Sequence, residues 1–225
     1  MKSILGEIVP RLLAWPTAEL CRRWPSHFTI SVMRTLNGIQ LSPEQLQLIS
    51  TTIRGKAPCR LLVFGLGNDS VFLQNLNRGG TTIFLEDDRG WFHKITTRSK
   101  GLTAFLVDYT TQRKDWRMLL EHPSLLSMSL PHDVENEEWD VILVDAPRGW
   151  DDQTPGRMVS IFLSSRLVKG SGDIFVHDCN REVEAVYCNS FLKNENLKTE
   201  IEAPVGSLRH YHMANRSTWP HTLGF

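Results

Sequence analysis

Acidic and basic side chains stand directly after apolar runs in this 225-residue sequence. Asp145 follows the run Val141–Val144, and His177 and Asp178 follow a second run that ends at Val176. A carboxylate beside such a run is costly to bury, so Asp145 needs a partner or a function. We expect Asp145, His177 and Asp178 to form a catalytic cluster. His177 is a candidate base because an imidazole titrates near neutral pH.

The same edge also carries a candidate metal site. Asp145, Asp178 and Asn180 make an all-oxygen set of the kind that binds a hard divalent cation. Two mechanisms therefore stay open: a cation could activate a substrate hydroxyl, or His177 or an acid could take the proton directly. A structural role for Asp178, as the cap of a helix that begins near residue 180, is a third alternative.

Arginines near these acids are candidate substrate-binding residues. Arg157 opens the helical stretch after Asp145, and a guanidinium held there could bind a carboxylate through two parallel hydrogen bonds. A surface salt bridge is the alternative role for Arg157. Asn180 and Arg181 follow Asp178 on the same predicted edge, and we expect them to contact substrate together with Arg157.

A candidate cofactor site lies earlier in the chain, where one apolar strand ends in a glycine turn and the next ends on acids. Gly65 and Gly67 would let the backbone approach a nucleoside cofactor closely. Glu86, followed by Asp87, is the candidate for binding the ribose hydroxyls. Asp69 could either cap the next helix or bind a cationic group of the cofactor.

Strands alternate with helices after residue 59, which predicts parallel βαβ units. Strands are predicted over 60–65, 81–85, 102–107, 139–145, 172–177, 196–202 and 207–213, and helices over 69–77, 88–99, 112–121, 155–166 and 180–194. The last two strands have only a short connection, which predicts an antiparallel hairpin. Residues 1–55 are predicted to form a helical extension, and residues 56–225 a Rossmann-like domain.

The terminal hairpin and the glycine turn together favour one cofactor. A mostly parallel seven-stranded sheet that ends in a hairpin is typical of class I methyltransferases, whereas dinucleotide-binding domains usually end in another parallel strand. The turn has Ser70 where a dinucleotide site prefers a third glycine. We therefore expect S-adenosylmethionine rather than NAD.

Composition narrows the function further. The chain has 25 basic and 25 acidic residues, so it lacks the basic excess of a nucleic-acid-binding domain. Its four cysteines have no metal-binding spacing and are expected to be reduced thiols. We recognise no signal peptide or membrane span, so we expect a cytoplasmic protein. The sequence does not indicate an oligomeric state.

Six segments, read as a set, resemble the glucuronoxylan 4-O-methyltransferase family of plant cell walls. They are Phe64–Ser70, Thr81–Asp88, Tyr109–Gln112, Trp139–Pro147, Pro155–Met158 and His177–Glu184. The resemblance implies a class I enzyme that methylates O4 of glucuronic acid on xylan with S-adenosylmethionine. It also implies that Gly65, Gly67 and Glu86 bind the cofactor.

For the acceptor, the resemblance places Asp145, His177 and Asp178 around the reacting hydroxyl and Arg157 near the uronate. Plant members have a Golgi membrane anchor that we do not recognise here, and the segment between Gln112 and Trp139 is shorter than theirs. A non-plant-type relative that acts on another uronic-acid-containing glycan is therefore an alternative. Others are a metal-dependent O-methyltransferase of a small hydroxylated molecule, and a non-catalytic protein that supports polysaccharide synthesis.

Overall fold

A computed structural model describes residues 26–214 of the chain. The predictions for residues 1–25, which include Cys21 and the first part of the helical extension, lie outside the described residues. Within the described range, no helix combines the length and the apolar content that crossing a bilayer requires.

Two capped helices precede the sheet: α1 (His27–Asn37) and α2 (Pro43–Lys56). Ser42 caps α2, because its hydroxyl accepts a hydrogen bond from the Gln45 amide while the Gln45 side chain accepts one from the Ser42 amide. Leu46, Ile49 and Ile53 of α2 are buried in the same core cluster as residues of the sheet. These two helices thus share the core of the sheet within the described residues.

Seven strands form one sheet in the order β3-β2-β1-β4-β5-β7-β6. They are β1 (Arg60–Phe64), β2 (Thr81–Glu86), β3 (Thr103–Leu106), β4 (Trp139–Val144), β5 (Val168–His177), β6 (Leu197–Ile201) and β7 (Leu208–His212). The pairs β3–β2, β2–β1, β1–β4 and β4–β5 are parallel. Strand β7 runs antiparallel to both β5 and β6. The predicted terminal hairpin is therefore confirmed.

The remaining helices cover the two faces of the sheet. They are α3 (Ser70–Leu76), α4 (Arg89–Arg98), α5 (Trp116–Glu121), α6 (His132–Glu135), α7 (Met158–Leu167) and α8 (Glu182–Tyr187). The short helix α6 was not predicted, and three of the predicted elements have a bound that differs by four residues or more. A 3₁₀ turn precedes α5, α8 ends in a π-helical turn at Cys188–Leu192, and β5 begins at Val168 because a bulge carries Ser171 at φ 67°.

The four central strands, β1, β2, β4 and β5, are buried over most of their length, as strands covered on both faces usually are. Leu62 and Phe64 of β1 join one core cluster, whereas Leu61 and Val63 join the other. This alternation follows from the two-residue period of a strand. The carboxyl ends of β1, β2, β4 and β5 all open onto one edge, where polar side chains such as Glu86, Asp145 and His177 follow the apolar runs.

Candidate active site

A cavity of about 480 Å³ opens at the carboxyl ends of β1, β2, β4 and β5. Its volume is in the range of pockets that hold small ligands. It lies where the strand order turns, with β2 and β3 on one side of the β1–β4 pair and β5 on the other. Open α/β sheets bind their ligands at this switch point.

Asp145 and His177 form a hydrogen-bonded pair on the wall of this cavity. The distance between Asp145 Oδ1 and His177 Nδ1 is 2.9 Å. Because an ionised carboxylate only accepts, Nδ1 carries the proton. The other His177 nitrogen, Nε2, is buried and has no partner among the described residues. The Asp145 side chain is 32% exposed, so it is the member of the pair that a substrate can reach.

Arg157 joins the acids to the backbone. Its Nη2 lies 2.7 Å from Asp178 Oδ2 and 3.2 Å from Asp145 Oδ1, and its Nη1 donates to the His177 carbonyl at 2.6 Å. The residue is only 5% exposed. This guanidinium is therefore engaged by protein groups, in contrast to the predicted contact with a substrate carboxylate and to the alternative of a surface salt bridge.

These contacts control the charge of Asp145. Burial by itself would raise the pKa of this carboxyl, but the hydrogen bond from His177 and the charge of Arg157 outweigh it, so the pKa is lowered. Asp145 is ionised near neutral pH. It is thus available as a hydrogen-bond acceptor for a neutral hydroxyl in the cavity.

Asn180 does not join the predicted metal set. Its Oδ1 accepts a hydrogen bond from the Ser207 amide at 3.1 Å, and the side chain does not line the cavity. The set that could hold a cation is instead Asp145, His177 and Asp178, whose ligand atoms lie within 4.8 Å of one another. Arg157 bridges the two acids in this structure.

Asp178 and Arg181 pair with each other at the same edge. Asp178 Oδ2 lies 3.0 Å from Arg181 Nη2. The predicted helix-cap role of Asp178 is wrong, because α8 begins at Glu182 and has no side-chain cap. Arg181 lines the cavity with a side chain that is 26% exposed, so it can reach a bound molecule.

Glu86 accepts hydrogen bonds from backbone amides on the wall of the cavity where the cofactor is predicted to bind. Its Oε2 accepts from the Leu66 amide at 3.0 Å, and its Oε1 accepts from the amides of Asp87 and Asp88. Burial raises the pKa of this carboxyl, and the backbone hydrogen bonds oppose the rise. Each oxygen has two lone pairs, so Glu86 keeps capacity for a ribose hydroxyl. Asp87 and the α4 cap Asp88 line the same wall.

The two glycines of the turn have close neighbours within the protein, and their predicted approach to a cofactor stays a prediction. Gly65 has φ +122°, and a Cβ there would lie 3.2 Å from Ala146 Cβ. A Cβ at Gly67 would lie 2.6 Å from Asp69 Oδ1. Asp69 stands at the N-cap position of α3, but its side chain makes no cap hydrogen bond to the helix. Burial, followed by the nearby charge of Asp145, raises the pKa of Asp69 to about 7.

Several cavity residues were not predicted from the sequence. Gly38–Leu41, between α1 and α2, line the cavity, as do Arg148, Trp150 and Val205. Arg148 and Trp150 stand within five residues of Asp145, so their position just after a strand end was a usable signal. Gly38–Leu41 and Val205 come from distant connections, and nothing local in the sequence marks them.

Several known proteins are similar to this chain in sequence or in fold. Glucuronoxylan 4-O-methyltransferase 2 of Arabidopsis thaliana is 33% identical over 222 residues, covering 88% of this chain and 75% of its own. Arabinogalactan O-methyltransferase 2 of the same plant is 34% identical over 201 residues, covering 78% and 68%. A Staphylococcus aureus structure assigned provisionally as a caffeoyl-CoA O-methyltransferase superposes with a TM-score of 0.54 at 12% identity, covering 89% of this chain and 99% of that chain.

The structural likeness concerns the fold, which is that of class I S-adenosylmethionine-dependent methyltransferases. The family model described as IRX15/IRX15L/GXM matches residues 44–128 and 122–211, a range that includes the glycine turn, Glu86 and the acid cluster. By this match and by the identity to the two plant methyltransferases, the chain belongs to the IRX15/IRX15L/GXM family.

Proposed function

We propose that the protein transfers the methyl group of S-adenosylmethionine to a hydroxyl of a uronic-acid-bearing glycan, with O4 of glucuronic acid as the acceptor atom. The observation that carries the proposal is the Asp145–His177 pair, 2.9 Å apart, on the wall of a cavity that also contains the glycine turn and Glu86. The names of the plant relatives support a sugar acceptor.

The residues of the turn fit S-adenosylmethionine. Gly65 and Gly67 line the cavity without a side chain, Glu86 offers an acceptor lone pair, and the Asp69 carboxyl makes no cap hydrogen bond to α3. A cationic group near Asp69 would offset the burial that raises its pKa to about 7. When bound there, the cofactor supplies an activated methyl group on a sulfonium.

The chain's own residues would position the hydroxyl and take its proton. Asp145 Oδ1 is already engaged by His177 and Arg157, which leaves Oδ2 to accept from the acceptor hydroxyl. His177 donates from Nδ1 to Oδ1 and so orients the carboxylate, while the proton of the acceptor hydroxyl goes to Oδ2. The sulfonium already activates the methyl group. The main contribution of the protein is therefore to hold the acceptor hydroxyl in line with the bond between the methyl carbon and sulfur.

We assign the uronate contact to Arg148 and Arg181 rather than to Arg157. Both line the cavity, and their side chains are 51% and 26% exposed, against 6% for Arg157. Exposed guanidiniums can exchange solvent for a substrate carboxylate, whereas Arg157 would have to leave Asp145 and Asp178.

A second version of the mechanism has a divalent cation held by Asp145, His177 and Asp178, and the observation for it is that their ligand atoms lie within 4.8 Å of one another. Such a cation would lower the pKa of a coordinated hydroxyl. It would have to displace the Arg157 guanidinium from between the acids, so we favour direct proton transfer to Asp145. Full activity after exhaustive EDTA treatment is expected; a loss that Mg²⁺ or another divalent ion restores would support the cation.

The test of the function is a methyl-transfer assay with labelled S-adenosylmethionine. The acceptor panel pairs each glucuronic-acid-substituted oligosaccharide with its neutral counterpart lacking the uronic acid. Label is expected only in the acidic members, and mass spectrometry of the product should place the methyl on O4. Transfer to neutral sugars alone, or to none of the panel, would contradict the proposal.

A further inference from the structure

Trp150 is a large aromatic side chain that is 63% exposed at the mouth of the cavity. Exposed apolar side chains beside a pocket often mark the place where a ligand rests. The indole is not needed for the core, because it belongs to neither of the buried clusters. The exposed indole leaves a large apolar surface in contact with water, and a bound ligand would cover that surface.

The loop that carries Trp150 is held firmly. Asp151 Oδ1 accepts from the amides of Gln153 and Thr154 at 2.9 and 3.0 Å. Arg113 Nη1 lies 2.7 Å from Asp152 Oδ1, which ties the loop to the segment before α5. A side chain on such a loop is presented in one place before any ligand arrives.

One side of the indole is already occupied. The Arg148 guanidinium lies 5.6 Å from the ring centroid and stacks by a cation–π contact. The exposure of Trp150 shows that the rest of the ring is open to solvent. Val205, from the connection between β6 and β7, is 40% exposed and lines the same cavity. An apolar, flat surface with a charged neighbour therefore borders the entrance.

We propose that Trp150 and Val205 form a subsite for a second sugar ring, the one joined to the ring that is methylated. The inference rests on the proposed function. One face of a pyranose is lined by C–H groups, which the electron-rich face of an indole attracts. Asp145 and His177 lie deeper than Trp150, so the methylated ring occupies the interior and its neighbour rests at the mouth. The protein thus prefers oligomeric acceptors to free uronic acid.

The test compares methyl glucuronoside, a single ring, with xylotriose that carries glucuronic acid. In the wild-type protein, kcat/KM should be at least about tenfold higher for the oligosaccharide. Trp150→Ala should remove most of this preference through KM, and Trp150→Phe should keep part of it. Because Trp150 also contacts Arg148, kcat/KM for the single ring should fall too, but by a smaller factor than for the oligosaccharide, and the binding of S-adenosylhomocysteine should change less than about twofold.

Phe28→Ala provides the matched control, because Phe28 is 74% exposed but does not line the cavity. This variant should keep the full oligosaccharide preference. Equal kcat/KM for the two acceptors in the wild type, or a preference that Trp150→Ala leaves intact, would overturn the subsite while the proposed function stands. A loss of S-adenosylhomocysteine binding would assign the indole to the cofactor instead. No transfer to either acceptor would overturn both proposals.

Discussion

Strand β5 carries two clusters of buried charge, and the comparison between them separates a structural cluster from a site. In the first, Asp173 Oδ2 lies 2.8 Å from Lys56 Nζ, while Oδ1 is 2.7 Å from His210 Nε2 and 3.0 Å from His212 Nδ1. In the second, at the end of the strand, His177 and Arg157 bind the acids Asp145 and Asp178.

Both clusters combine carboxylate, imidazole and basic side chains, but they differ in the hydrogen-bonding atoms that remain without a partner. None of the residues bound to Asp173 lines the cavity, and His210 is also stacked on Phe175 at 4.3 Å. The second cluster borders the cavity and has an imidazole nitrogen, His177 Nε2, without a partner among the described residues. Residue types alone therefore do not identify a site; open hydrogen-bonding capacity beside a cavity does.

The largest expected effect comes from removing the charge of Asp145. Asp145→Asn should lower kcat by about 10²–10⁴-fold, the usual contribution of a positioned base, while S-adenosylhomocysteine binding survives. Steady-state kinetics and calorimetry measure the two quantities. Asp173→Asn is the matched control and should leave kcat within about threefold at a temperature where it is folded. Similar losses in both variants would remove the distinction between the clusters.

Next in size is the effect of Glu86, the acid on the cofactor wall of the same cavity. Glu86→Ala should weaken S-adenosylhomocysteine binding by about 1.5–3 kcal/mol, the range for hydrogen bonds to a charged group. Calorimetry measures this loss and should detect no NAD binding to the wild type. Because Glu86 also accepts from three backbone amides, thermal unfolding must establish that the variant is folded. Strong NAD binding would contradict the cofactor assignment.

A third experiment uses pH to test the cluster around Asp173. Burial alone would raise the pKa of Asp173, but hydrogen bonds from His210 and Lys56 lower it from 3.8 to about 2. A depressed pKa contributes stability above the unfolded value, and this stability is lost as the pH falls from about 4 towards 2. The wild type should exceed Asp173→Asn by about 2 kcal/mol at pH 7 and by little near pH 2. A difference that does not change with pH, measured by chemical unfolding, would be inconsistent with this account.

The smallest effect is expected at Glu184, a buried acid beneath the loop of Trp150. Neither of its oxygens has a partner among the described residues, and burial raises its pKa. A raised pKa means that ionisation opposes folding, so stability is lost as the pH rises above the unfolded value. Glu184→Gln should therefore gain stability relative to the wild type between pH 5 and pH 8. Urea unfolding at both pH values measures the gain. A free energy of unfolding at pH 8 that is lower in Glu184→Gln than in the wild type would contradict this account.

Periodicity and turn chemistry predicted most of the fold. Alternating strands and helices, together with a short last connection, were enough for the parallel sheet and its hairpin. The start of β5 was missed because a bulge depends on the pairing of two strands, which no single segment records.

Only those site residues that lie at or directly after the end of a strand could be predicted from the sequence. Asp145, His177 and Asp178 converge because parallel strands end at one edge. The partners of Arg157 and Asn180 were not predictable, since each depends on which groups distant segments bring close. Asn180, for example, bonds to Ser207, an amide 27 positions away that the hairpin supplies.

The hydrogen bond from Gln45 Nε2 to the Gly206 carbonyl, 2.7 Å long, joins positions 161 residues apart. It connects the region that places Gly38–Leu41 on the cavity wall with the hairpin connection that places Val205 there. On the ribosome, the glycine turn and Glu86 emerge early, but this wall closes only when the hairpin connection has left the exit tunnel. The ability to accept a substrate is thus acquired after the segments of the cofactor wall have already emerged.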